Sequence, residues 1–290
     1  VLVWNAGQFK EAEAALPRLI KRLRQKPELW QGISVNFNSL PGNSIFNYAP
    51  RSWKVLWGPP ALREHIGAAK FFFRPQAFRQ ANLEAFESNI VPLVCDAVPE
   101  GASVAELYSG VGVLGLNAAA SARATEVLCS DSSEYVEEVF DKSADSLQNP
   151  DARESVFFEA ATAADAVMQG QCELASVLIV DPPRKGLDEE VLQLILGTHE
   201  FESAPMLQRL IYVSCGFRAF ERDARALLES GLWQISEATG VVLFPGSDHM
   251  ETVAVFDRTE KEMPERVDNE ERDNAFVAAA LLGANAAELA

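Results

Sequence analysis

The chain has 290 residues, with 25 Lys and Arg against 42 Asp and Glu for a formal net charge of −17, and 48% of it is apolar. That balance describes a soluble globular chain with material for one large or two ordinary domains, and no apolar run reaches the ~18 residues a membrane helix needs. So large a surplus of acid also argues, on composition alone, against a nucleic-acid partner, because phosphates are met by Lys and Arg.

Taken in chain order, the opening VLVWNA reads as a strand. It begins at Val1 rather than at a methionine or a targeting signal, so a fragment or processed form is expected. Residues 8–26 carry a helical apolar pattern with a basic end at Lys21, Arg22, Arg24 and Lys26, and ISVNF and WKVLWG read as further strands. Residues 1–74 are thus expected to form a small α+β domain. A helix is expected from about Pro75 to Val98. After Gly101, strand-like runs alternate with helical stretches: SVAELYS, TEVLCSD, SVFFEA, SVLIVD, RLIYVSC and a closing pair, WQISEATGVVLF and ETVAVFDR. Alternation of this kind over residues 75–258 predicts an α/β domain with a doubly wound, mostly parallel sheet and an antiparallel finish. Residues 259–290 are charged and then Ala-rich, and are expected to be a mobile acidic tail ending in a helix.

Two further readings come from composition. Charge is segregated: residues 1–100 hold 12 basic and 8 acidic side chains, whereas residues 101–290 hold 13 and 34. Cys95, Cys129, Cys172 and Cys215 contain no CxxC pair, so neither a zinc site nor a disulfide framework is expected. A soluble protein of a reducing, intracellular setting is the natural reading, with the compartment open.

In doubly wound sheets ligands bind beyond the carboxyl ends of the strands, so the residues that end the strands carry the functional signal. The first strand runs from Glu106 into Gly110, Gly112 and Gly115, a GxGxxG between strand and helix. The second ends at Asp131, where an acid can accept from ribose hydroxyls. NAD and S-adenosylmethionine both satisfy these features. Glu106 favours the second, since an acid beside the glycines repels a pyrophosphate but suits ammonium and sulfonium charges. The fourth strand ends in Asp181-Pro182-Pro183-Arg184-Lys185-Gly186, where two prolines cannot continue a central strand and fix a rigid exit loop. The fifth ends at Cys215 before a helix, a position where a thiol can have a lowered pKa and act as nucleophile. The last loop carries His249 and Glu251 just before the closing strand, and Glu251 is the better candidate for a general base.

Taken together, AFRQAN (77–82), ELYSGVG (106–112), VDPPRKGLD (180–188), YVSC (212–215) and FPGSDHMETV (244–253) resemble the S-adenosylmethionine-dependent RNA uracil-5-methyltransferases of tRNA and rRNA, in that family's order and at similar spacing. The resemblance implies a class I methyltransferase-type sheet and an RNA substrate, and the charge segregation then makes the mildly basic N-terminal part, with the domain of residues 1–74, the expected RNA-facing region, helped by Arg184, Lys185 and Arg218 at the site rim. It implies that Cys215 attacks C6 of the target uracil and that Glu251 removes the C5 proton. It also implies that Gln80, Glu106, Gly110, Gly112, Asp131 and Asp181 line the cofactor and target-base site. No metal or iron–sulfur cluster is expected, and a monomer is favoured. The chain departs from the family after the cysteine, where Gly216-Phe217 replaces the usual Asn-Pro. An RNA cytosine-5-methyltransferase, a nicotinamide-dependent oxidoreductase and an RNA-binding homologue that no longer methylates remain the alternatives.

Overall fold

The computed structural model describes residues 1–5, 10, 14–41, 45–133, 135–197, 204, 206–247 and 250–259. The predicted tail beyond residue 259 and His249 lie outside these. The chain forms two compact units, Val1–Glu64 with Phe72–Phe78, and His65–Phe71 with Arg79–Ala290.

In the first unit, β1 (Leu2–Trp4) pairs in parallel with β2 (Ile33–Phe37), which pairs antiparallel with β3 (Trp53–Trp57). Helix α1 (Leu16–Leu23) occupies part of the predicted 8–26 helix. It buries Leu16 against Val35 and Phe37 of β2, with Leu2, Trp4 and Leu56 packed around them. A hairpin of β4 (Leu62–Ile66) and β5 (Ala69–Phe73) follows, and the division between the units runs through it.

The helix expected from Pro75 starts later. Asn82 caps it, its side chain accepting from the Ala85 N–H, and α2 (Leu83–Ala85) passes through a π-helical stretch at Phe86–Ile90 into α3 (Val91–Ala97). Pro92 sits in the first turn of α3. It has no N–H to give the preceding turn and its ring crowds the carbonyl there, so the backbone widens ahead of it.

The second unit is built on β6 (Ala102–Leu107), α4 (Val113–Ala120), β7 (Ala124–Ser130), α5 (Glu137–Ala144), α6 (Pro150–Glu154), β8 (Val156–Glu159) and α7 (Ala163–Met168). It continues through β9 (Val177–Val180), α8 (Glu189–Leu196), β10 (Arg209–Ser214), α9 (Phe217–Glu229), β11 (Trp233–Val241) and β12 (Glu251–Arg258). The seven strands lie in the order β11-β12-β10-β9-β6-β7-β8. All neighbours are parallel except β12, which runs antiparallel to both β10 and β11. This is the doubly wound sheet with an antiparallel finish that the strand–helix alternation predicts. From β6 the chain steps outward to β7 and β8, then returns to β9 on the other side of β6. The switch point therefore lies between β6 and β9, where Glu106 stands opposite Ile179 and Leu107 opposite Val180. The central strands are buried on both faces, as a sheet covered by helices requires.

Candidate active site at the strand ends

The turn after β6 is shaped by conformations few residues adopt. Tyr108, Gly110 and Gly112 all have positive φ, 59°, 54° and 75°, a region that glycine enters freely and tyrosine does not. The Cα of Gly110 faces open space, whereas a Cβ on Gly112 would lie 2.6 Å from the Phe140 ring. Gly115 lets α4 settle onto the sheet: a Cβ there would meet Glu106 Oε2 at 2.6 Å and Cys129 Sγ at 2.9 Å. Asp131 holds the turn in place, accepting from the Gly110 N–H at 2.9 Å and the Ser133 N–H at 2.8 Å. Each of its oxygens keeps a further lone pair for another donor.

Glu106 sits beneath this turn rather than in it. It is 2% exposed and accepts from the Gly115 N–H at 2.9 Å and the Cys129 thiol at 3.2 Å. Burial pushes its pKa up to about 7.

Across the switch point four functional groups converge. Asp181 follows β9, Cys215 follows β10 and Glu251 begins β12, where Ser214 pairs with Thr252. Asp181 is pushed up to about 8, by burial first and then by the Glu251 and Glu106 carboxylates. Burial also raises Glu251, while Arg184 holds it down. The half-buried Cys215 thiol is raised as well, by burial and then by Glu251 and Asp181, with only the Arg184 guanidinium pulling the other way. The expectation of a lowered thiol pKa is therefore corrected: burial is the largest cause of the rise, and the Glu251 and Asp181 carboxylates add to it.

The loop after Asp181 is locked from beneath. Asp223 of α9 is fully buried and accepts from the Leu187 N–H at 3.0 Å, the Tyr212 hydroxyl at 2.9 Å and the Arg222 guanidinium at 2.7 Å. Arg222 also donates to the Lys185 carbonyl at 3.1 Å. At the loop's far end the Asp188 N–H donates to the Tyr108 hydroxyl at 3.0 Å, and that hydroxyl donates to the Asp188 carboxylate at 3.1 Å. From above, Gly216 lies so close that a Cβ would meet the Arg184 carbonyl oxygen at 2.8 Å. A side chain at 216 would crowd the main chain of Arg184.

The structure thus gathers Cys215, Glu251 and Asp181, with Arg184 beside Cys215 and Glu251, and sets Gly110, Gly112 and Asp131 at the turn after β6. Gln80 is half-buried, and its stretch is tied in through Asn82, whose side chain donates to the Leu243 carbonyl at 2.5 Å. Tyr108 and Asp223 were not singled out from sequence as site residues, and Arg184 was expected only at the site rim, facing RNA. Arg184 stood inside a motif that had been read, whereas Asp223 carries no local signal. Among the described residues no group of three or more His, Cys, Asp and Glu is placed to hold a metal ion, and no helix is long and apolar enough to cross a membrane. A cationic, ribose-bearing ligand fits this corner. Three carboxylates with raised pKa values face or underlie it, Asp131 offers lone pairs, and the Gly110 Cα leaves open space.

No family model matches the chain. Curated relatives do. It is 32% identical over 262 residues to an uncharacterized RNA methyltransferase of Protochlamydia amoebophila, covering 89% of this chain and 64% of that protein. It is 27% identical over 265 residues to one of Staphylococcus epidermidis, covering 90% and 53%. The chain therefore spans between about half and two thirds of the length of these relatives. Among solved structures it is similar to the Pyrococcus abyssi tRNA (uracil-54, C5)-methyltransferase in complex with S-adenosyl-L-homocysteine, with TM-score 0.58, 24% identity, and 80% of this chain and 52% of that one covered. A putative S-adenosylmethionine-dependent methyltransferase from Streptococcus mutans gives TM-score 0.55 at 10% identity, covering 84% and 66%. The fold of the second unit is that of the S-adenosylmethionine-dependent methyltransferases.

Proposed function

We propose that the chain is the catalytic part of an RNA methyltransferase that uses S-adenosylmethionine and modifies C5 of a uridine in tRNA or rRNA. The curated relatives named as RNA methyltransferases support the reaction class. The uridine C5 position is supported by the convergence of Cys215, Asp181, Glu251 and Arg184 at the ends of β9, β10 and β12, and this convergence is the observation that carries the proposal.

The cofactor, held by Asp131, Asp181 and the turn at Gly110 and Gly112, supplies an electrophilic methyl group on a sulfonium centre. C5 of uracil is a weak nucleophile because its electrons belong to the conjugated ring. Cys215 overcomes this by adding through sulfur to C6, which places enolate character on C5. The thiol must first lose its proton. Glu251 and Asp181 oppose that loss in the free protein, and Arg184 favours it. A cation brought beside the two carboxylates offsets their repulsion, so the thiolate forms most readily in the loaded site. Once C5 carries the methyl group, Glu251 removes its remaining proton. The C5–C6 double bond re-forms and the C6–S bond breaks, returning the thiolate.

RNA containing 5-fluorouridine offers no C5 proton for Glu251 to take, so a covalent protein–RNA adduct should accumulate and be visible as a denaturation-resistant band. Cys215→Ser should abolish it. Glu251→Gln should form adduct with ordinary RNA but release it slowly. An adduct formed by Cys215→Ser would remove Cys215 from the role, and 5-methylcytidine as the product would favour the cytosine reading.

A further inference from the structure

The acidic whole conceals a basic surface in the first unit. Between residues 14 and 60 there are seven Lys and Arg and a single acid, Glu28. Five of the seven, Arg18, Lys21, Arg22, Arg24 and Lys26, belong to α1 or the residues just after it, and all five side chains are exposed. The helix buries Leu16 on the sheet, and Lys21 and Arg24, one turn apart, stand beside a groove between α1 and β3. The groove has a volume of about 680 Å³; Leu16, Pro17 and Ile20 form its apolar side, and Lys21, Arg24 and Lys54 its basic rim. Among the described residues strand β3 is an edge of its sheet, paired with β2. Behind the rim the Arg24 guanidinium lies 5.8 Å from the centre of the Trp57 ring.

We infer that this groove is a binding surface for a single-stranded stretch of RNA, with phosphates along Lys21 and Arg24 and a base against the apolar side. Sites of this kind combine cations that track the backbone with apolar or aromatic surface for the bases, and they need no sequence code. The inference rests on the RNA-methyltransferase reading, and it adds a second contact surface, built on α1 and β3, to the strand-end site. It also answers how a chain of net charge −17 engages a polyanion: five of its 25 cations cluster on or just after one helix, in a stretch that holds a single acid.

The test compares the full chain with Lys21→Gln/Arg24→Gln and with a control pair, Lys142→Gln/Arg225→Gln, whose cations already face Glu138 and Glu221. Binding of unmodified tRNA and rRNA-fragment transcripts is followed by fluorescence anisotropy across a salt series. Loss of two phosphate contacts should lower the slope of log K against log salt by about 1.4, at ~0.7 per contact on a single strand. Adduct formation with 5-fluorouridine RNA at saturating concentration should be unchanged, while the RNA concentration giving half the maximal rate should rise several-fold. The control pair should leave the slope as in the wild type. An unchanged slope in Lys21→Gln/Arg24→Gln, with methylation of RNA intact, would overturn the groove and leave the activity standing. Absence of both RNA binding and RNA methylation in the wild type would overturn both readings. Displacement of RNA by poly-glutamate at equal charge would assign the groove to acidic protein segments instead.

Discussion

Asp181 is the residue on which the electrostatics of the site turn. Its pKa is pushed up to about 8 by burial and by the Glu251 and Glu106 carboxylates, so at neutral pH it is largely protonated in the free protein. A sulfonium ligand stabilises only the ionised form. Binding should therefore release a proton from Asp181 in the window just below about pH 8, and none either well above it or near pH 6, where Asp181 stays neutral in both states. The affinity of wild type relative to Asp181→Asn should thus be close to one at pH 6, where both residues are neutral, and rise to about tenfold or more at pH 9. Taking the ratio cancels the titration of the ligand's own amine. Isothermal calorimetry with S-adenosylmethionine across that range measures it, and a ratio that stays flat or falls with pH would show that Asp181 does not face the cation. Cys215 belongs to the same field. Its thiol is raised by burial and then by the Glu251 and Asp181 carboxylates, so under the proposed function nucleophile activation and cofactor occupancy would be linked without any movement of the backbone.

At the scale of elements, the loop from Asp181 to Asp188 is the part that must be held, and α9 holds it. Asp223 offers its buried carboxylate to Leu187, Tyr212 and Arg222 together. Asp223→Ala would strand the Leu187 N–H and the Tyr212 hydroxyl without acceptors and leave the Arg222 guanidinium without its anion. Chemical denaturation should show a loss of about 3 kcal/mol or more, well beyond a surface substitution, with Asp223→Asn intermediate because its amide oxygen can still accept. A loss below ~1 kcal/mol for the alanine variant would mean that the network contributes little. The strands that frame this loop were legible from sequence. Runs such as SVLIVD and RLIYVSC are β-branched, short and bounded by breakers, and the order of strand and helix left few topologies. The β4–β5 hairpin was not, because the run of Phe71, Phe72 and Phe73 hides the alternation by which only the first and third are buried. For the site, strand-end position was legible because a doubly wound sheet puts every carboxyl end on one edge. The direction of the thiol's pKa was not, since it depends on Glu251 and Asp181 arriving from other strands. The role of Asp223 was equally hidden: its partner Leu187 is 36 residues away, and nothing local marks a helical Asp as buried.

For the whole molecule, the distribution of charge makes salt act in two opposite directions. The first hundred residues carry a net +4, whereas residues 101–259 hold 26 acids against 10 bases and so set like charges against each other on the folded surface. Surface ion pairs such as Lys142–Glu138 and Arg225–Glu221 join exposed groups and offset little of this. Screening shortens the reach of that repulsion from about 30 Å at 0.01 M to about 10 Å at 0.1 M. Added potassium chloride should therefore raise the thermal midpoint by a few degrees between roughly 20 and 500 mM, as repulsion in the compact state is relieved. The same addition should weaken RNA binding, because cations such as Lys21 and Arg24 would gain less from displacing counterions. Differential scanning fluorimetry and anisotropy on one salt series read both effects. Opposite signs are expected only if repulsion dominates the acidic unit while binding draws on a separate basic surface. A midpoint that falls with salt would mean that attractive pairs outweigh repulsion. RNA binding that does not weaken with salt would mean that phosphates are not what the chain holds.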